Sequence, residues 1–99
     1  MRVAAVVVAA GSSRRFGQDK LWLPLAGRPV VEHSLAALAA APSVVECVLV
    51  VRAGEEAHFA ELAARHRARV VPGGAERQDS VAAGLAAVTG NPELVAIQD

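Results

Sequence analysis

The residues best suited to chemistry lie in a short basic loop near the start of the chain, from Gly11 to Lys20. Small residues at its beginning let backbone N–H groups approach an anion closely. The cations Arg14, Arg15 and Lys20 can neutralise a triphosphate and the charge that grows at phosphorus during transfer. The loop therefore predicts phosphoryl or nucleotidyl transfer, and the alternative is a polar surface loop with solvated arginines.

Two common phosphate-binding motifs do not match this loop. A P-loop has Lys and then Ser or Thr after its last glycine, whereas Gly17 is followed by Gln18 and Asp19. The dinucleotide fingerprint has a second glycine where this chain has Ser13. The sequence therefore argues against a P-loop kinase and against a dinucleotide-dependent dehydrogenase.

A second polar segment, residues 73–81, joins two glycines to the predicted start of a helix. Gly74 allows the backbone to approach a flat base or ribose, and Ser80 can donate and accept hydrogen bonds at a base edge. A structural explanation stays open, because Asp79 or Ser80 could cap the helix and Arg77 could pair with a neighbouring acid.

Strands and helices alternate around these two segments. Apolar runs predict strands at residues 3–9, 44–51, 68–71 and 94–97. Helical spacing and end signals predict helices at about 30–41, 55–66 and from a cap at Gln78 or Asp79 to Val88. This order predicts an α/β, Rossmann-like, mostly parallel sheet with helices on both faces. Both polar segments then follow strands, at the edge where such sheets bind ligands.

The composition describes one globular domain without a strong overall charge. Hydrophobic residues make up 54% of the 99 residues, and ten Lys and Arg balance ten Asp and Glu. We therefore expect neither nucleic acid nor a membrane as a partner. Cys47 is the single cysteine, which suits a reducing, cytoplasmic location. Because the sequence stops at Asp99, directly after the last predicted strand, we expect the 99 residues to be part of a longer domain.

The first loop and the residues after it resemble the opening of sugar-nucleotide-type nucleotidyltransferases. The resemblance lies in Ala9-Ala10-Gly11, in Lys20 and in the run Leu-Pro-Leu-Ala-Gly-Arg-Pro-Val-Val-Glu-His-Ser at 23–34. It implies that Arg15 and Lys20 contact the triphosphate and stabilise the pentacoordinate transition state. It also implies that the main chain of the first three residues helps to hold the nucleotide.

Two residues in the first loop depart from the usual pattern of these enzymes. Ser13 replaces a second glycine, and Asp19 precedes the lysine where proline is common. Both departures occur in related molybdopterin nucleotidyltransferases, so this loop leaves the substrate open.

The second segment is similar to the cytidine-binding segment of 2-C-methyl-D-erythritol 4-phosphate cytidylyltransferases, through its Gly-Gly-x-x-Arg-x-x-Ser-Val pattern. Ribitol-phosphate cytidylyltransferases share this pattern. The resemblance implies that Gly74 and Ser80 recognise cytosine, while Arg77 and Asp79 shape the loop. The acidic residue that the family has after the glycines is Ala75 here, so one possible nucleotide contact is absent.

Residues 95–99 resemble the family's strand that leads to a magnesium-binding aspartate, which is Asp99 here. A carboxylate is a suitable hard ligand for Mg²⁺. Gln98 stands where histidine is commoner, and a surface acid without a metal is the alternative for Asp99.

The resemblance implies that residues 1–99 are the nucleotide-binding portion of a single nucleotidyltransferase domain. The enzyme would use Mg²⁺ and transfer CMP from CTP to 2-C-methyl-D-erythritol 4-phosphate, a small phosphorylated polyol, and the full protein would be a homodimer. No protein nucleophile is needed, because positioning and electrostatics supply the catalysis. The alternatives are a ribitol-phosphate or molybdopterin nucleotidyltransferase and a non-catalytic nucleotide-binding fragment.

Overall fold

The structure is a computed structural model that describes residues 1–10, 14–15, 18–19, 24–25 and 28–99, with side chains for 1–10 and 31–99. The strands are β1 (Val3–Ala9), β2 (Arg14–Arg15), β3 (Gln18–Asp19), β4 (Pro24–Leu25), β5 (Arg28–Pro29), β6 (Val44–Val51), β7 (Ala68–Pro72) and β8 (Leu94–Gln98). The helices are α1 (Val30–Ala40), α2 (Glu56–Arg65) and α3 (Arg77–Ala87).

A four-stranded parallel sheet in the order β7-β6-β1-β8 forms the centre of the fold. Val6 of β1 lies opposite Val48 of β6 on one side and Ile97 of β8 on the other. Continuous apolar runs form these inner strands because both faces of a parallel sheet are covered. The strand order reverses direction between β1 and β8, and ligands bind beyond the carboxyl ends of the strands at such a switch point.

Helices cover both faces of the sheet, which confirms the predicted α/β, Rossmann-like class. On one face, Leu35 of α1 and Phe59 of α2 are fully buried in a cluster with Leu49 of β6. On the other face, α3 lies so close that a Cβ at Gly84 would be 2.4 Å from a methyl carbon of Val6. A glycine is therefore required where α3 crosses the centre of the sheet.

The start of α3 differs from the prediction. The helix begins at Arg77 with Glu76 at the N-cap, so the prediction of a cap at Gln78 or Asp79 was wrong. Asp79 instead accepts a hydrogen bond from the Glu76 N–H at 3.2 Å, as the third helical residue of a capping box does. The other predicted boundaries agree with the structure to within one residue.

Two short antiparallel pairs, β2 with β3 and β4 with β5, lie along the chain between β1 and α1. Across the part of the chain that the structure describes, no helix has the length and apolar character needed to cross a membrane.

Candidate functional site

At the carboxyl edge of the sheet, the end of β1, which leads into the first polar segment, lies against the second polar segment. A Cβ placed on Gly73, just after β7, would lie 2.4 Å from Ser80 Oγ in α3 and 2.7 Å from the Cβ of Ala10, just after β1. The Gly73 N–H also donates a hydrogen bond to the carbonyl oxygen of Val51 at 2.7 Å. The ends of three strands and the start of α3 therefore meet around one glycine.

Ser80 lies beneath this junction and is buried, with 2% of its surface exposed. Its hydroxyl faces the Gly73 backbone, so in this geometry Ser80 supports the glycine turn from below. Gly74 is the exposed residue of the turn. The contact of Ser80 with cytosine stays a prediction.

Gly74 is held against Asp79, the third residue of α3 and one member of its capping box. A Cβ at this position would lie 2.3 Å from the Cβ of Asp79, so no side chain fits without movement of the turn. This contact gives a structural reason for the glycine, in addition to the backbone approach to a nucleotide that the sequence predicted. The arrangement also agrees with the interpretation that Asp79 shapes the loop.

An ion pair between Arg77 and Asp99 crosses the same edge. Arg77 Nε lies 2.9 Å from Asp99 Oδ1, and Arg77 Nη2 lies 2.7 Å from Asp99 Oδ2, in a bidentate geometry. The hydrogen bonds from Arg77 lower the pKa of the Asp99 carboxyl. Sequence reasoning offered only neighbouring acids as partners for Arg77, because no local pattern links residues on α3 and after β8.

Asp99 has the chemistry expected of a Mg²⁺ ligand. Its carboxylate is 60% exposed, and each oxygen keeps acceptor capacity beside its bond to Arg77. Within the described ranges, no group of three or more His, Cys, Asp or Glu side chains could hold a metal ion. A single carboxylate such as that of Asp99 fits Mg²⁺, which proteins often bind through one or two carboxylates while substrate phosphates and water complete the octahedron.

A second contact that sequence reasoning missed fixes the end of β8. The side-chain amide of Gln98 donates a hydrogen bond to Ser34 Oγ in α1 at 2.7 Å. Gln98 precedes Asp99, so this bond ties the candidate metal ligand to the helix that follows the first loop. The only sequence signal was that Gln98 replaces a commoner histidine.

The first loop is described only in part. Ala9 ends β1 and Ala10 follows it, and both are 8% exposed. The backbone of Arg15 lies in β2, opposite Gln18 of β3. Gly11, Lys20 and the Arg15 side chain lie outside the described residues, so their roles stay predictions.

Comparisons with known proteins agree with this architecture. The family model of 2-C-methyl-D-erythritol 4-phosphate cytidylyltransferase matches residues 3–99. A curated protein with that name from Pelotomaculum thermopropionicum is 46% identical over 105 residues, with 99% of this chain and 44% of the relative covered. Another from Cereibacter sphaeroides is 43% identical over 104 residues, with 100% of this chain and 46% of the relative covered. The chain thus spans less than half the length of these relatives.

Among solved structures, the chain is similar to a 4-diphosphocytidyl-2C-methyl-D-erythritol synthase from Anaerococcus prevotii. The TM-score is 0.80 at 28% sequence identity, and the match covers 97% of this chain and 41% of that chain. The similarity therefore extends through the whole sheet described above.

Proposed function

Because the chain belongs to the 2-C-methyl-D-erythritol 4-phosphate cytidylyltransferase family, we propose that the protein transfers CMP from CTP to 2-C-methyl-D-erythritol 4-phosphate. The observation that carries this proposal is the meeting of the two resembling segments at the carboxyl edge, with Gly73 packed between Ala10 and Ser80. Nucleotides bind at this edge in open α/β sheets.

In the proposed reaction, a phosphate oxygen of the acceptor forms a bond to the α-phosphorus of CTP. The bond from that phosphorus to the bridging oxygen breaks, and pyrophosphate leaves. Arg15 and Lys20 stabilise the charge on the transferring group, and the main chain at Ala9, Ala10 and Gly11 holds the nucleotide. Catalysis of this kind needs positioned charges and no covalent protein intermediate.

Asp99 is the proposed ligand for Mg²⁺, which when bound supplies positive charge to the triphosphate. Arg77 holds the Asp99 carboxylate in one orientation through its bidentate contact. An arginine in this position also brings a cation close to the phosphates. We propose that Arg77 orients the carboxylate and that Asp99 alone among the described side chains contacts the metal.

Cytosine selection is assigned to the glycine turn and to Ser80. The turn is closely packed, because Gly73 and Gly74 both lie in contacts that exclude a side chain. Close packing would hold main-chain donors and acceptors at constant positions, which is the requirement for distinguishing one base edge from another. Ser80 contributes either its hydroxyl or the support that holds the turn.

The proposal includes a cytoplasmic location and a homodimer without nucleic acid or membrane partners. Equal numbers of acidic and basic residues support the absence of a polyanionic partner. Cys47 supports a reducing compartment, because it is a buried free thiol whose pKa is raised by burial to about 11. The homodimer rests on the family resemblance.

The test is an acceptor assay with CTP and Mg²⁺, in which product is identified by ³¹P NMR and pyrophosphate release is measured. We expect a CDP-linked product with 2-C-methyl-D-erythritol 4-phosphate and little with ribitol 5-phosphate or a molybdopterin. A preference for ribitol 5-phosphate or for a molybdopterin would show that this compound, and not 2-C-methyl-D-erythritol 4-phosphate, is the acceptor. Binding of CTP with no pyrophosphate release from any acceptor would support a nucleotide-binding module.

A further inference from the structure

The amino edge of the sheet, opposite the candidate site, contains a cavity of about 520 Å³. It lies at the start of β6 and of β7 and beside the turn that precedes β8. Six of its lining residues carry the argument, and they are Arg2, Val45, Glu46, Arg67, Arg69 and Thr89. A volume of this size is in the range of small-molecule sites.

Glu46 and Arg69 form an ion pair in the wall of the cavity, so their charges compensate each other. Glu46 Oε2 accepts hydrogen bonds from Arg69 Nη2 at 2.7 Å and from the Thr89 N–H at 2.9 Å, and Glu46 Oε1 accepts one from the Gly90 N–H at 3.2 Å. Arg69 also donates to the carbonyl oxygen of Ala87 at the end of α3. Because these two charges offset one another, neither of them sets the charge of the cavity.

Arg2 and Arg67 add two guanidinium groups at the same cavity, and one carboxylate, that of Glu93, accepts a hydrogen bond from the Arg2 main-chain N–H at 3.0 Å. Arg2 Nη1 donates to the carbonyl oxygen of Asn91 at 3.1 Å, which is a neutral acceptor. In the described part of the chain, the side chain of Arg67 makes no hydrogen bond or ion pair, and neither guanidinium has a carboxylate within 4.0 Å. The cavity therefore has two guanidinium groups available to an anion.

The backbone at Arg67 supports a role for its side chain. Its φ is 58°, in the left-handed region where glycine and asparagine are favoured after a helix. Arg67 directly follows His66, the C-cap residue of α2, so the left-handed residue that ends the helix is the one whose side chain lines the cavity.

The remaining walls are apolar or uncharged. Val45 is 54% exposed and lines the cavity beside Ala68. Cys47 also lines it, and burial raises its thiol pKa to about 11, so the sulfur carries no negative charge at neutral pH. An apolar wall beside two cations suits a ligand with a doubly charged head and a short carbon skeleton.

We propose that the amino edge binds a small phosphate monoester, with Arg2 and Arg67 as the ligands of the phosphate and Val45 against its carbon skeleton. Two guanidinium groups match the charge of a phosphate dianion better than that of a carboxylate. This site is separate from the proposed nucleotide site and does not depend on the proposed reaction.

The test is a titration of the ¹⁵N-labelled protein with glycerol 3-phosphate, followed by ¹H–¹⁵N NMR. Amide signals of Thr89 and Gly90 report on the amino edge, and those of Gly73 and Gly74 report on the carboxyl edge. We expect saturable shifts at the amino edge, smaller affinity for inorganic phosphate, and no shifts with glycerol. Shifts that do not saturate, or that are confined to the carboxyl-edge glycines, would overturn the proposal.

Substitutions distinguish phosphate binding at a specific site from the general attraction of an anion to positive surface charge. We expect Arg67→Gln to weaken glycerol 3-phosphate binding about tenfold, as the loss of one charge-assisted hydrogen bond implies. Arg65→Gln removes the same charge two residues away from an exposed position outside the cavity, and should change the affinity little. Equal effects of the two substitutions would contradict the site. Arg2→Gln gives a second variant, and the amide spectrum of each variant verifies that it is folded.

Discussion

At the carboxyl edge of the sheet three elements pack so closely that a methyl group does not fit at Gly73, whereas at the amino edge long guanidinium side chains surround a cavity of about 520 Å³. The two edges also differ in which end of α3 each contains. The start of α3 lies at the carboxyl edge, where free N–H groups suit an anion. Its end lies at the amino edge, where carbonyl oxygens suit a cation such as Arg69.

In the two proposals, one sheet recognises a phosphate in two ways. At the carboxyl edge, the main chain and the closely packed glycine turn would position the ligand, so its geometry would depend on packing. At the amino edge, Arg69 is already held by Glu46 and by the end of α3, and Arg2 and Arg67 would bind the anion. Substitution of the packed glycine Gly73 should therefore lower stability, whereas substitution of Arg67 should lower ligand affinity.

The largest effect is expected in catalysis. Lys20→Ala should lower kcat about 10²- to 10³-fold, because the proposed mechanism assigns Lys20 a charge that stabilises the transition state. The free energy of unfolding should change little. Steady-state assays and urea titration measure the two quantities. Unchanged kcat in Lys20→Ala would remove Lys20 from the mechanism.

The next largest effect is on stability, and it compares how closely the two edges are packed. Gly73→Ala should lower the free energy of unfolding by about 2 kcal/mol, because the added methyl group overlaps Ser80 Oγ and the Cβ of Ala10. Gly90→Ala at the amino edge is the matched control, since its Cβ would meet Glu46 Oε1 at an ordinary 3.4 Å. Urea denaturation compares both variants, and equal destabilisation would contradict the contrast in packing.

A smaller effect concerns the pH dependence of the amino edge. Hydrogen bonds from Thr89 lower the pKa of Glu46, so its contribution to stability is present above the carboxyl group's unfolded pKa and is lost as the pH falls through the lower folded pKa. Glu46→Gln should therefore cost about 1 kcal/mol at pH 7 and progressively less in acid. Urea midpoints from neutral to acidic pH provide the measurement. A cost independent of pH would show that the Glu46 charge is unimportant.

The smallest effect is electrostatic and local. Because Arg77 lowers the pKa of Asp99, Arg77→Gln should raise that pKa toward its ordinary value. ¹³C NMR titration of the Asp99 carboxyl measures the change, and Arg52→Gln, which alters a pair with Glu55, is the control. An unaltered Asp99 pKa in Arg77→Gln would mean that the ion pair is absent in solution.

Several features of the fold were predictable because they depend on neighbouring residues. The valine-rich runs of β1 and β6 are typical of strands buried on both faces, and they were predicted with the correct bounds. The first residue of α3 was harder to predict, since the side chains of Glu76, Gln78 and Asp79 can all cap the start of a helix. The structure assigns the N-cap to Glu76 and the return contact to Asp79.

The sequence by itself determined the alternation of strands and helices, the two polar segments that follow strands, and the family to which these segments point. Only the tertiary structure decided the strand order, the contact of Gly73 with Ala10 and Ser80, the pairing of Arg77 with Asp99, and the cavity at the amino edge. Periodicity and capping are properties of adjacent residues. Contacts between distant residues depend on how the sheet and helices pack, which no local pattern specifies.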